Sequence, residues 1–182
     1  MRPLNVPTRN EVTEQNREIF DDLKSKLGFV PNIYATYAHS ENALKRYLTF
    51  ANGKTSLNNK EKEVINLVVS EINGCTYCQA AHTALGKMNG FTEEQTIELR
   101  TGEATFDSKL DALVKLAGDI AENRGKITDE VLSNFFDAGY TKENLIDVIV
   151  NVGEKATTNF LHNVTQIPVD FPAAPELTET VS

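Results

Sequence analysis

Apolar positions return every three or four residues along almost the whole chain, and no stretch alternates with the period of a strand. Residues 11–27 place Val12, Ile19, Leu23 and Leu27 on roughly one helix face, with Gly28 as the stop. The turn Gly28-Phe29-Val30-Pro31-Asn32 leads into an aromatic-rich stretch around Tyr34 and Tyr37. Ser40 is placed to cap a helix bearing Leu44, Tyr47, Leu48 and Ala51, ended at Asn52-Gly53. Asn58 with Glu61 three residues on forms a capping box. It opens a segment containing Val64, Ile65, Leu67, Val68 and Val69, too apolar for a surface element. Asn73-Gly74 interrupts that run, and Cys75 to Met88 resumes the helical spacing. Thr92 with Gln95, residues 107–123, Thr128 to Gly139, and Thr141 towards His162 mark the remaining helices. The expected fold is all-α: one helical domain over 1–167 and an extended, Pro-rich acidic tail over 168–182.

A shift of 81 residues lays Val64-Ile65 and Leu67 to Val69 over Leu145-Ile146 and Val148 to Val150, and sets Cys75 and Cys78 on Ala156 and Asn159. A pair of similar helical hairpins would give this echo, and so would any two buried helices.

Composition narrows the chemistry. Eighteen Lys and Arg stand against 26 Asp and Glu, a net charge of −8. That balance, with no basic patch to reverse it locally, disfavours nucleic acid and anionic membrane as partners. No apolar run is long enough to span a bilayer, and Met1 to Pro7 contains no signal-peptide core, so a cytoplasmic location is expected.

Two cysteines in 182 residues are too few for a secreted disulfide scaffold, yet both fall in Cys75-Thr76-Tyr77-Cys78. Without a secretion signal, such a pair reads as redox-active or metal-binding before it reads as a staple. On a helix Cys75, Cys78 and His82 share one side. Cysteines three apart have Cα atoms about 5–6 Å from each other, within reach of a disulfide. The nucleophile towards peroxide or disulfide is a thiolate. His82, one turn beyond Cys78, is placed to take its proton or to pair with it as imidazolium. Glu63 lies in the apolar segment, where an unpaired charge is costly, and a histidine or thiol relay would give it a partner. A helix N-terminus favours Cys75 as the more acidic thiol, whereas His82 acts directly on Cys78. We take Cys78 as the attacking sulfur.

The pattern Glu63-x11-Cys75-x2-Cys78-x3-His82 resembles that of alkylhydroperoxidase D-like proteins of the carboxymuconolactone decarboxylase superfamily. Val69-Ser70-x2-Asn73-x-Cys75-x-Tyr77-Cys78, Gly28 to Asn32 and Pro168-Val169-Asp170-Phe171-Pro172 look like its peroxidase-related branch. The resemblance implies an all-helical homo-oligomer, a trimer or hexamer, with antioxidant activity. It implies that Cys78 attacks a hydroperoxide, that Cys75 resolves the sulfenic acid, and that Glu63 and His82 relay protons. An external thiol or dithiol donor, such as a lipoyl or thioredoxin-like protein, would restore the pair, and no cofactor is needed. The best-studied peroxidases of this type have a histidine just before the second cysteine. Tyr77 stands there instead, and an ordinary phenol with a pKa near 10 is a poor base at neutral pH. A shorter or weaker relay is therefore expected.

Rival readings remain open on the residues. A zinc half-site would need a fourth ligand from His39, His162 or Glu63, at no recognisable spacing. A decarboxylase-type lyase would not need the thiols, and a redox-sensing oligomer would form the disulfide without turnover. His39 and His162 read as ordinary surface or core histidines. The Tyr34, Tyr37, Tyr47 and Phe135, Phe136 sets read as core or subunit interface. Asp21-Asp22 and Glu93-Glu94 read as solvated helix positions.

Overall fold

The computed structural model describes residues 4–177, and nine α-helices with one 3-10 turn (Arg9–Glu11) make up all of its regular structure. The helices are α1 (Glu14–Leu27), α2 (Asn32–Tyr37), α3 (Ala43–Ala51), α4 (Asn59–Ile72), α5 (Thr76–Met88), α6 (Glu93–Arg100), α7 (Ser108–Glu122), α8 (Asp129–Asp137) and α9 (Lys142–Thr165). The all-α expectation holds. The capping boxes at Asn58 and Thr92 and the Thr128 cap all form as the sequence requires. Gly28 closes α1 in the left-handed conformation that its lack of a Cβ permits. Ser40 does not cap α3; Asn42 precedes that helix, and Ser40 bonds back to the preceding turn instead.

Two compact units divide the chain. The first contains the described residues 4–54 together with Leu161–Asp170. Its core packs Phe20, Leu44, Tyr37 and Tyr47, the two tyrosine rings stacked 4.5 Å apart, so these aromatics are core. Here the Gly28–Asn32 turn meets the start of the tail: the Asn32 amide donates to Asp170 Oδ2 at 2.8 Å and its side chain to the Pro168 carbonyl at 3.1 Å.

The second unit contains Thr55–Phe160 and, of the described residues, 171–177. α4 is its axis, packed against α5, α6 and α7. Val64, Ile65, Leu67, Val68 and Val69 are all buried, as their unbroken apolar run requires. Each such side chain contributes about 1.5–3 kcal/mol on burial, so α4 is held from every side and any polar group on it is held too. Gly118 lets α7 approach, since a Cβ there would sit 3.3 Å from a Val68 methyl. Phe135 stacks on Tyr140 with centroids 4.4 Å apart.

The 81-residue echo is not a repeat of hairpins. It maps the break between α4 and α5 onto the middle of α9, which continues unbroken. Nor are the matched apolar positions equally buried: Ile146, Ile149 and Val150 are exposed. Helical periodicity shows where a stripe lies, not whether it is covered.

Residues 168–177 form no helix or strand. Within the second unit, Phe171 meets the Tyr77 ring edge-on and Pro175 accepts a hydrogen bond from Arg100 at 2.6 Å. The rest of the expected tail, from residue 178, lies outside the described residues.

Candidate active site

The site is built at the junction of α4 and α5. The Asn58 cap opens α4 with its carboxamide on the Glu61 amide at 3.0 Å. From there Glu63, Asn66 and Ser70 fall at i, i+3 and i+7 and draw one polar line along an otherwise apolar helix. The helix ends at Asn73, and Gly74 turns the chain at φ +61°, a conformation that disfavours any residue with a Cβ.

This turn makes Cys75 the N-cap of α5. Its Sγ accepts the Cys78 backbone N–H at 3.2 Å, so a sulfur occupies the place of the usual capping oxygen. One turn further on, His82 points back to α4, and its Nδ1 donates to Glu63 Oε2 at 2.8 Å. The Asn66 side chain donates to Glu63 Oε1 at 3.4 Å and is itself held by Asn151 at 3.0 Å. The structure thus joins Cys75 to Cys78 and Glu63 to His82, and the buried carboxylate has the histidine partner that its apolar setting demands. Cys75 and Cys78 are 0% and 2% exposed, and neither is joined in a disulfide.

The electrostatics follow from burial and partners. Burial pushes the Glu63 carboxyl up, but His82, with Lys155 and Asn66, outweighs it and holds the group below its ordinary value. The Cys78 thiol is pushed up, first by its hydrogen bond with Cys75 and then by burial. Lys155 and the Asn159 amide act on Cys78 in the opposite direction.

Lys155 and Asn159 carry no motif that would single them out in the sequence. The available signal was their position: both fall on the face of α9 that also carries the buried Val148 and Val152, where polar residues need a reason. Tyr77 is buried against Phe171, their centroids 5.7 Å apart. His39 and His162 both lie in the first unit, with ring nitrogens 2.8 Å from the Asn5 carbonyl and 3.2 Å from that of Ile167. Among the described residues, no three His, Cys, Asp or Glu side chains are placed to hold a metal ion.

Residues 38–117, the stretch that contains Glu63, Cys75, Cys78 and His82, match the Carboxymuconolactone decarboxylase family. No curated protein matches the chain in sequence. The fold is similar to that of an uncharacterized peroxidase-related protein from Silicibacter sp. TM1040, with TM-score 0.80 at 20% identity, covering 97% of this chain and 96% of that one. It is also similar to an uncharacterized peroxidase-related protein from Ralstonia eutropha JMP134 described as an alkylhydroperoxidase AhpD core, with TM-score 0.84 at 19% identity over 92% of both chains. A third similar structure is a variant of the debrominase Bmp8 in complex with 2,3,4-tribromopyrrole, with TM-score 0.74 at 15% identity, covering 93% of this chain and 90% of that one. The match to the Carboxymuconolactone decarboxylase family thus lies over residues 38–117, and the chain as a whole has a helical fold similar to that of an alkylhydroperoxidase AhpD core.

Proposed function

We propose that the chain is a cysteine-based peroxidase or disulfide reductase that cycles Cys75 and Cys78 between dithiol and disulfide. The observation that carries this reading is the 2.8 Å Glu63–His82 hydrogen bond, one turn of α5 away from a buried cysteine pair. A carboxylate that orients a histidine beside a nucleophile is the general arrangement of an activated thiol.

In this reading the Cys78 thiolate attacks one peroxide oxygen. The sulfur–oxygen bond forms as the oxygen–oxygen bond breaks, and the alcohol leaves with a proton passed by the His82–Glu63 pair. Cys75 then attacks the sulfenic sulfur, the disulfide forms, and hydroxide departs as water. The dithiol loses two electrons and two protons; the hydroperoxide becomes alcohol and water. An external thiol or dithiol, from a lipoyl or thioredoxin-like protein, returns the electrons. The cycle calls for no cofactor or metal, and a reducing compartment such as the cytoplasm suits it.

The working unit in this reading is a homo-oligomer, a trimer or hexamer. Supporting it, Ile146, Ile149, Val150 and Phe160 follow one exposed stripe of α9, with Ile146 60% and Phe160 57% exposed. Gly153 in the same stripe leaves room for a close approach.

The test is a free-thiol titration of metal-free protein with and without one equivalent of hydroperoxide. The expected result is loss of both thiols per chain as an intramolecular disulfide, abolished in Cys78→Ser and stopped at a sulfenic acid or mixed disulfide in Cys75→Ser. Wild-type peroxide consumption by both variants would overturn the reading. Run with 2,3,4-tribromopyrrole, the ligand of the debrominase with the same fold, the assay checks the substrate class: bromide release with loss of two thiols would favour a halogenated aromatic over peroxide.

A further inference from the structure

The thiol chemistry leaves one question of charge open. Cys78 is buried and hydrogen-bonded to Cys75, and the N–H that α5 offers at its first turn goes to the Cys75 sulfur. His82 uses Nδ1 on Glu63. A negative charge on Cys78 therefore needs a compensating group from outside α4 and α5.

α9 supplies a candidate. Asn151, Lys155 and Asn159 are spaced i, i+4 and i+8 and form one line along the helix. The line is anchored to α4 at both ends. Asn151 donates to Asn66 at 3.0 Å; Asn159 donates to Ser70 at 3.3 Å and accepts from Asn73 at 3.0 Å. Lys155 sits between the two anchors, 4% exposed, on the seam that carries Glu63. An ammonium so deeply buried requires negative partners, and Glu154 lies 3.8 Å away. Charged or titratable groups of this seam include Glu63 from α4 and Cys75, Cys78 and His82 around α5.

We propose that Lys155 is the positioning residue that balances the Cys78 thiolate, with the Asn159 amide as its hydrogen-bond donor. The charge of Lys155 lowers the proton affinity of both Glu63 and Cys78, and the Asn159 amide acts on Cys78 in the same direction, as this role requires. The inference deepens the dithiol reading and rests on it. It does not depend on which oxidant the enzyme uses.

The experiment is iodoacetamide alkylation of Cys78 in the reduced, full-length protein across pH, without peroxide. It compares wild type with Lys155→Met and Lys155→Arg, each in a Cys75→Ala background to isolate one thiol. In Lys155→Met the alkylation midpoint should rise by about one pH unit or more, a roughly tenfold loss of thiolate at fixed pH. Lys155→Arg should restore it. Should Lys155→Met fail to fold by circular dichroism, Lys155→Gln, which keeps a polar head and loses the charge, replaces it. An unmoved midpoint in the neutral variant, or equal shifts in the neutral and Arg variants, would overturn the proposal. A normal Lys155 effect in a protein that does not consume peroxide would leave the inference standing and refute the peroxidase reading alone.

Discussion

Glu63 on α4 and His82 on α5, 19 residues apart in sequence, share a hydrogen bond of 2.8 Å in which the carboxylate accepts from Nδ1. The bond fixes the tautomer that a proton-transferring histidine needs, because it leaves Nε2 to exchange protons. Replacing the acceptor by an amide keeps the shape and removes the charge. Glu63→Gln should lower peroxide-driven disulfide formation by about 10²-fold, the usual size of a general acid–base contribution, with the circular dichroism spectrum unchanged. Stopped-flow loss of thiols measures it.

The same carboxylate makes stability depend on pH. Its folded-state affinity for protons lies below the ordinary glutamate value of 4.5, so its contribution is fully present above that pH and fades as pH falls through the lower folded value. Urea midpoints should therefore drop on acidification below about pH 4.5, and less so in Glu63→Gln. An equally steep acid limb in the variant would assign the loss to other carboxylates.

Tyr77 directly precedes Cys78 and is packed as a core aromatic against Phe171. Tyr77→Phe should keep the peroxide rate within about threefold, since a phenol with an ordinary pKa transfers little proton at neutral pH. Tyr77→Ala should cost about 3–5 kcal/mol of stability through the cavity it leaves. A large rate loss in Tyr77→Phe with stability intact would make the hydroxyl part of the relay.

Gly74 holds φ +61° at the turn that delivers Cys75 to the N-cap, with open space where a Cβ would go. The penalty for alanine is thus conformational and not steric crowding. Gly74→Ala should cost about 1–2 kcal/mol, lowering Tm by several degrees in a calorimetric scan.

The exposed α9 stripe should matter for assembly and little for the monomer fold. Ile149→Lys with Phe160→Glu places charges on side chains that are already exposed. Light scattering should show a shift to smaller species, while the helical signal stays. An unchanged mass would remove this face from the interface.

The sequence by itself determined the helices and the line of cysteines and histidine at α5. Capping boxes at Asn58 and Thr92 and the glycine stop after α1 are local events, decided within a few residues of backbone. The Cys75, Cys78 and His82 alignment is equally local, since it needs only the 3.6-residue period. Glu63 could be marked as anomalous because a carboxylate in an apolar run needs a partner, although its partner was not encoded nearby. Tertiary structure decided what depends on docking. It brought His82 to Glu63, set the Asn151–Lys155–Asn159 line of α9 along α4, and left Ile146 and Ile149 uncovered despite their apolar spacing. A helix pattern states which residues share a face. Which neighbour that face meets, and which buried charge it balances, is settled only when the helices pack, because burial and Coulomb attraction act through space and not along the chain.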